Sequence, residues 1–145
     1  MPGAPDTIDA SAAVAAREPM SWPQVTVAIL AYSRRDAVRI TLSKVLSELG
    51  YPAEALEVIV VDNASSDDTA GMLAAEFPTV KLLRLEENVG VSAVNRAFAI
   101  AKGAWILSLD DDCWIGGDAL KAGSRRRRGD RGRSRLLPGH ELGEQ

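Results

Sequence analysis

One cysteine and one histidine in 145 residues remove two common kinds of chemistry at the outset. Cys113 has no partner for an internal disulfide, and with His140 distant in sequence it makes no zinc site; it reads as a small apolar neighbour of the acids before it. No run of about 18 apolar residues occurs, so no transmembrane helix is expected. The first residues lack the basic-then-apolar order of a signal peptide, which makes a cytoplasmic location the default expectation.

Hydrophobic residues make up 46% of the chain and charged residues 26%, enough for one globular domain with a core and too short for two. The net charge of -3 hides a division. Residues 1–120 hold 9 Lys and Arg against 17 Asp and Glu, whereas residues 121–145 hold 8 against 3. Such a shift marks a boundary, so three segments are expected: a Pro- and Ala-rich disordered head (1–23), a folded body (24–120) and a disordered basic tail (121–145).

Within the body, apolar runs alternate with amphipathic ones. Val25 to Leu30 reads as a strand, and Asp36 opens a helix whose Val38, Leu42, Val45, Leu46 and Leu49 recur at helical spacing until Gly50 and Pro52 stop it. Leu56 to Val61 is a second strand ending at Asp62. Ser65 or Ser66 is then placed to cap a helix that starts near Asp67 and carries Met72, Leu73 and Phe77 inward. Val80 to Leu85 is a third strand, and an Ala-rich helix from about Val91 to Lys102 sets Val94 and Phe98 on one side. Trp105 to Leu109 is a fourth strand whose apolar continuity suggests burial on both faces. This rhythm predicts an α/β fold, a doubly wound parallel sheet with right-handed crossovers.

Ligands of such sheets bind at the carboxyl ends of the strands. There the chain puts Tyr32 after strand one, Asp62 after strand two, and Asp110, Asp111 and Asp112 after strand four. Adjacent carboxylates repel one another and are costly to desolvate without a cation or a set of donors. Their hard oxygens suit Mg2+ or Mn2+, ions commonly held by one or two carboxylates together with substrate phosphates. A solvated acidic turn is the plainer alternative.

The segments VTVAILAYSRRD, EVIVVDNASSDDT, NVGVSAVNRAFAIAKG and LSLDDD, in this order and spacing, resemble the nucleotide-binding half of a family 2 glycosyltransferase with the GT-A fold, from about Val25 to Leu120. The resemblance implies a nucleotide-diphosphate sugar donor, UDP-sugar favoured, and transfer with inversion to an unknown acceptor. It implies that Tyr32 packs near the base and that Asp62 accepts a hydrogen bond from it; a carboxylate suits the imino N–H of uracil. It further implies that Asp110 or Asp111 contacts the ribose or the sugar, and that Asp112 holds the Mn2+ or Mg2+ bridging the phosphates. Asn95 and Arg96 fall in the family's third-helix motif as further nucleotide contacts.

The chain departs from the family pattern in several places. Ala31 and Ser33 stand where Thr or Ser and Asn are usual, Gly90 to Asn95 is one residue short, and Ala97 replaces a common Gly. The family's general base, an Asp or Glu downstream of the acidic motif, is expected beyond this chain, so the 145 residues alone are expected to be truncated and inactive in transfer. The Arg-Gly-rich sequence after about Ala122 reads as the product of a shifted frame or an early gene end.

Two further functions fit less well. A noncatalytic nucleotide or nucleic-acid-binding domain would use the basic tail for phosphates, but Arg125 to Arg128 lack interleaved aromatics for stacking, so no specific nucleic acid is expected. A phosphoacceptor receiver domain would need a lysine-bearing strand after the acids.

Overall fold

The computed structural model describes residues 22–116 and 118–126. Most of the expected disordered head, and the tail from residue 127 with the frame-shift reading attached to it, lie outside the described residues. Val25–Ala31 (β1), Leu56–Asp62 (β2), Lys81–Arg84 (β3) and Trp105–Asp110 (β4) form one parallel sheet in the order β3-β2-β1-β4. The helices are Arg35–Glu48 (α1), Thr69–Glu76 (α2), Val94–Ile100 (α3) and Ala119–Arg126 (α4).

The two sheet faces are covered differently. Val25, Val27, Ile29 and Ala31 of β1 join Val38, Leu42 and Val45 of α1 and Met72 and Leu73 of α2 in the larger core. Ala28, with Ile59 and Val61 of β2, packs under Ala93 and Ala97 at the start of α3 on the other face. Helices on both faces make β1 and β2 continuous apolar runs, as the doubly wound reading requires. At the end of α1, Gly50 takes φ 63, the left-handed conformation that closes a helix C-terminus.

Several local expectations change. β4 is an edge of the sheet among the described residues, and its burial alternates: Leu109 is buried while Ile106 is 43% exposed. Strand four is therefore not buried on both faces as its apolar run suggested, because only one of its sides meets a core. On α1, Leu46 is exposed, since the face containing Val38, Leu42, Val45 and Leu49 already fills the contact. The third helix is split into a 3-10 turn, Gly90–Ala93, followed by α3. This phase turns Ala93 and Ala97 inward with Val94 packed beside them and leaves Phe98 exposed, so of the expected pair only Val94 meets the core.

Neither Ser65 nor Ser66 caps α2. That helix starts at Thr69, whose backbone N–H and hydroxyl both donate to the Asp67 carboxylate. Described structure crosses both expected segment boundaries. Trp22 meets Tyr51 edge-on with ring centroids 5.5 Å apart, and the Tyr51 hydroxyl donates to the Pro23 carbonyl at 2.6 Å, which ties the end of the expected head to the body. At the other side, α4 runs through the expected boundary at residue 120.

The amino ends of the strands are knotted by one carboxylate. Glu57 on β2 accepts from the Thr26 hydroxyl of β1 at 2.6 Å, from the Lys102 N–H at 2.9 Å and from the Lys81 ammonium of β3. Gly103 N–H donates to the same Thr26 hydroxyl at 2.9 Å, and a Cβ on Gly103 would lie 2.5 Å from the Thr26 backbone nitrogen, so only glycine fits there. Burial pushes the Glu57 carboxyl upward, yet the hydrogen bonds from Lys81, Thr26 and Lys102 outweigh it and bring it to about 2 from 4.5.

A depressed carboxylate stabilises the fold fully above its unfolded pKa, and this contribution is lost as pH falls from about 4.5 toward 2. Glu57→Gln should therefore flatten the acid limb of the stability profile. At pH 7 it should cost about 1–3 kcal/mol, because donors facing Glu57 lose a charged acceptor. Urea unfolding at neutral and acid pH reads both effects, and an unchanged free energy at neutral pH would contradict the knot's importance.

Candidate functional site

The path of the chain builds a crevice at the carboxyl ends of the strands. It runs outward from β1 through β2 to β3 and then returns to place β4 on the other side of β1, with α3 on the opposite face from α1 and α2. A reversal of this kind leaves the loops after β1 and β4 diverging around an open switch point. In register, Ala31 pairs with Asp62 and Leu30 with Asp110, so the two acids flank the end of β1 on its two sides. Two strand spacings separate them, about 10 Å.

Beyond β1, Tyr32 is 48% exposed at the rim. Ser33 follows with φ 47, a left-handed conformation that is uncommon for a side-chain-bearing residue and turns the chain sharply. The loop is held against the β2 exit: Ser33 N–H donates to Ser65 Oγ at 2.8 Å, Ser66 N–H to Ser33 Oγ at 2.9 Å, and Arg35 N–H to Asp67 Oδ2 at 3.0 Å. Ser65 and Ser66 thus position the aromatic loop, a role their proximity to a helix start did not suggest.

Asp62 is fully buried. Its Oδ1 accepts from Ser65 N–H at 3.0 Å, while Oδ2 is buried with no hydrogen-bond partner. The Arg84 Nε lies 3.7 Å from Oδ2, near enough for charge attraction but too far for a hydrogen bond. A buried carboxylate oxygen without a donor is an expensive arrangement, and it ordinarily marks a place where a missing donor belongs. Arg84, Leu85 and Glu86 are shared by two adjoining grooves, one of about 440 Å³ that reaches Ala64 and Ser65 and one of about 630 Å³ that reaches Arg96. Arg96 therefore comes to the Asp62 side of the rim, and Asn95 lies exposed beside it on α3.

The residue after Asp62 was not singled out from sequence. Asn63 is buried, its Nδ2 donating to Asn88 Oδ1 at 2.9 Å and to the Gly90 carbonyl at 3.1 Å, while its Oδ1 accepts from Val89 N–H at 3.0 Å. It thereby fixes the loop between β3 and α3. The signal was present as an Asn in the VVDN turn with a second Asn and a Gly downstream, but no local pattern says that they meet.

After β4 the chain turns at once, with Cys113 N–H donating to the Asp110 carbonyl at 3.2 Å. This turn separates the three acids. Asp111 goes inward, its backbone carbonyl accepting from the Thr41 hydroxyl of α1 at 2.7 Å and its carboxylate from Arg34 Nη1 at 3.0 Å. Burial raises the Asp111 pKa, helped by the charges of Asp112 and Asp110, while Arg34 opposes the shift. Asp110 and Asp112 stay exposed, and their carboxylates with the Cys113 thiol lie within 4.8 Å of one another. Asp112 is held below the usual carboxylate range by the hydrogen bond from Cys113 and by Arg34, whose Nη1 is 3.2 Å away.

Cys113 is exposed, not packed beside the acids as an apolar neighbour. Its thiol is pushed up by the hydrogen bond to Asp112, which disfavours a reactive thiolate. Two close carboxylates with open faces form a donor set suited to a hard divalent cation, which would complete its shell with phosphate oxygens and water. Among the described residues no helix is long and apolar enough to cross a membrane.

The chain matches the family model for glycosyl transferase family 2 over residues 26–123. The succinoglycan biosynthesis protein ExoO of Rhizobium meliloti (strain 1021) is 35% identical over 101 residues, covering 68% of this chain and 28% of its own length. The UDP-Glc:alpha-D-GlcNAc-diphosphoundecaprenol beta-1,3-glucosyltransferase WfaP of Escherichia coli is 30% identical over 95 residues, covering 63% of this chain and 36% of its own length. The mannosyltransferase PcManGT from Pyrobaculum calidifontis, in complex with GDP-Man and Mn2+, superposes with a TM-score of 0.60 at 31% identity, over 72% of this chain and 32% of that one. The chain thus spans about a third of the length of these proteins.

Proposed function

The chain belongs to glycosyl transferase family 2, with the α/β architecture of a GT-A nucleotide-sugar-binding half, and on that premise we propose that it binds a UDP-sugar donor for inverting transfer. The donor-binding part falls within residues 24–120. The observation that carries this reading is the buried Asp62 Oδ2 without a donor, at the carboxyl end of β2. The imino N–H of uracil supplies such a donor, with Arg84 moving aside from the oxygen. Tyr32, half exposed on the neighbouring strand end, offers a ring for packing against the base. Arg96 lines the adjoining groove, and Asn95, exposed beside it on α3, is the further nucleotide contact.

The diphosphate then extends from Asp62 across β1 toward the acidic turn. Asp110 is exposed and suits an acceptor for ribose or sugar hydroxyls, whereas Asp111 acts chiefly by holding the turn. Asp112 would hold the divalent cation, with Asp110 close enough to assist. When bound, that ion supplies Lewis-acid stabilisation of the departing nucleoside diphosphate. The mannosyltransferase relative is complexed with Mn2+, which supports a divalent ion of this kind; Mn2+ and Mg2+ both suit the donor set.

We assign no general base among the described residues. Its place is opposite the leaving group, on the acceptor side, whereas Asp62, Asp110 and Asp112 are assigned here to the donor and Asp111 to the turn. Family membership favours this reading over a noncatalytic nucleotide or nucleic-acid binder.

Thermal unfolding with a panel of nucleotides tests the donor class. UDP with Mn2+ should stabilise the chain more than GDP, ADP or CDP does at equal concentration, CDP being informative because cytosine lacks the imino N–H. Equal stabilisation by CDP and UDP would remove the base-recognition role from Asp62. Preference for GDP would move the donor to a guanosine sugar.

A further inference from the structure

We propose that Arg34 is a positioning residue that occupies the cation place beside Asp112 in the metal-free protein, and that it gives up Asp112, but not Asp111, when the metal enters. The inference rests on the reading of Asp112 as the metal-holding residue. One nitrogen, Nη1, serves both carboxylates, at 3.0 Å from Asp111 Oδ1 and 3.2 Å from Asp112 Oδ2.

The two pairings differ in how readily they break. The Asp111 side chain is only 11% exposed and its backbone is tied to Thr41, so loss of Arg34 would leave a nearly buried carboxylate without its cationic partner. Asp112 is 52% exposed and can exchange its partner with solvent, as surface ion pairs do. The backbone that carries Arg34 is itself pinned, through Ser33 N–H to Ser65 and Arg35 N–H to Asp67. The guanidinium is therefore pre-placed by the loop and anchored on Asp111, and its contact with Asp112 is the part free to change.

A small divalent ion such as Mg2+ would bind a carboxylate oxygen at about 2.0–2.1 Å, so guanidinium and metal would crowd the same Asp112 group. Two such cations about 5 Å apart repel by roughly a tenfold change in affinity even at the dielectric of water. Arg34 thus opposes binding of bare metal, and the negative diphosphate offsets that opposition when metal and nucleotide arrive together. The consequence is a site that favours the metal-nucleotide pair over the metal alone.

Mn2+ binding to the full 145-residue chain, followed through the electron paramagnetic resonance of free Mn2+ with and without UDP, tests this. Arg34→Gln should bind Mn2+ alone roughly tenfold more tightly than the wild type, and Arg34→Lys, which keeps the charge, should stay nearer the wild-type value. Equal or weaker binding by Arg34→Gln overturns the inference, and the metal assignment survives if Asp112→Ala abolishes wild-type binding. Absence of Mn2+ binding by the wild type, with or without UDP, overturns both.

Because Arg34→Gln also strips a partner from Asp111, the wild type provides a second measurement that needs no folded variant. The guanidinium nitrogen resonance of Arg34 should shift as Mg2+ and UDP are added. An unchanged resonance at saturating Mg2+ and UDP overturns the displacement.

Discussion

UDP added with Mn2+ to the 145-residue chain should raise its unfolding midpoint by roughly 10–20 °C, and chelation with EDTA should remove most of that rise. Ligand at about 100 times its dissociation constant stabilises a folded chain by about 2.7 kcal/mol, and in a domain of this size each kcal/mol moves the midpoint by about 4–8 °C. Asp112→Ala should behave as EDTA does, in the presence of metal. The variant suits the purpose because Asp112 is half exposed and its pairing with Arg34 is a solvent-screened surface one, so the ligand-free midpoint should scarcely move. The difference between the two proteins then reads binding and not folding. Equal shifts for wild type with Mn2+, wild type with EDTA, and Asp112→Ala would end the assignment of Asp112 to the metal.

Asp62→Asn should weaken UDP binding by about 10- to 100-fold, the cost of one buried donor left without an acceptor, about 1–3 kcal/mol. The argument is a count of lone pairs. Asp62 offers two oxygens, one for Ser65 N–H and one for the base, whereas Asn has a single oxygen and an amide that can only donate. Whichever way the amide is turned, one N–H faces another. Inorganic pyrophosphate with Mn2+ is the control, since it lacks a base and should bind both proteins alike. Isothermal titration of UDP and pyrophosphate into wild type and Asp62→Asn separates the two contributions. A parallel loss for both ligands would mean that Asp62 acts by holding the loop after β2, and undiminished UDP binding would remove it from the site.

The elements themselves were legible in the residues. VTVAIL and LEVIVV read as buried parallel strands because continuous apolar runs of that length need cover on both faces, and β1 and β2 have it. The acids at the strand ends were legible for a similar reason, since a charge that stops an apolar run has to emerge at the rim. Where the reading went astray, the cause lay beyond the run itself. WILSLD carries the same composition whether its strand is central or at an edge, and only the strand order reveals that Ile106 faces outward. Phe98 of the Ala-rich helix faces outward because the 3-10 turn before it sets the phase that puts Ala93 and Ala97 on the sheet.

By itself the sequence determined the α/β class, the succession of strands and helices, and the convergence of Tyr32, Asp62 and the acidic trio on one rim, because hydrophobic periodicity and strand polarity are written in near neighbours. Only the tertiary structure decided where each of the three acids is placed. Asp110, Asp111 and Asp112 are indistinguishable as letters, yet a turn held by Thr41, 70 residues away, sends Asp111 inward. The same holds for Arg34, which meets Asp111 across 77 residues, and for Asn63, whose partners lie 25 to 27 residues on. Such contacts depend on how strands are ordered and loops are pinned, and their energies appear only when distant segments have already been brought together by the core.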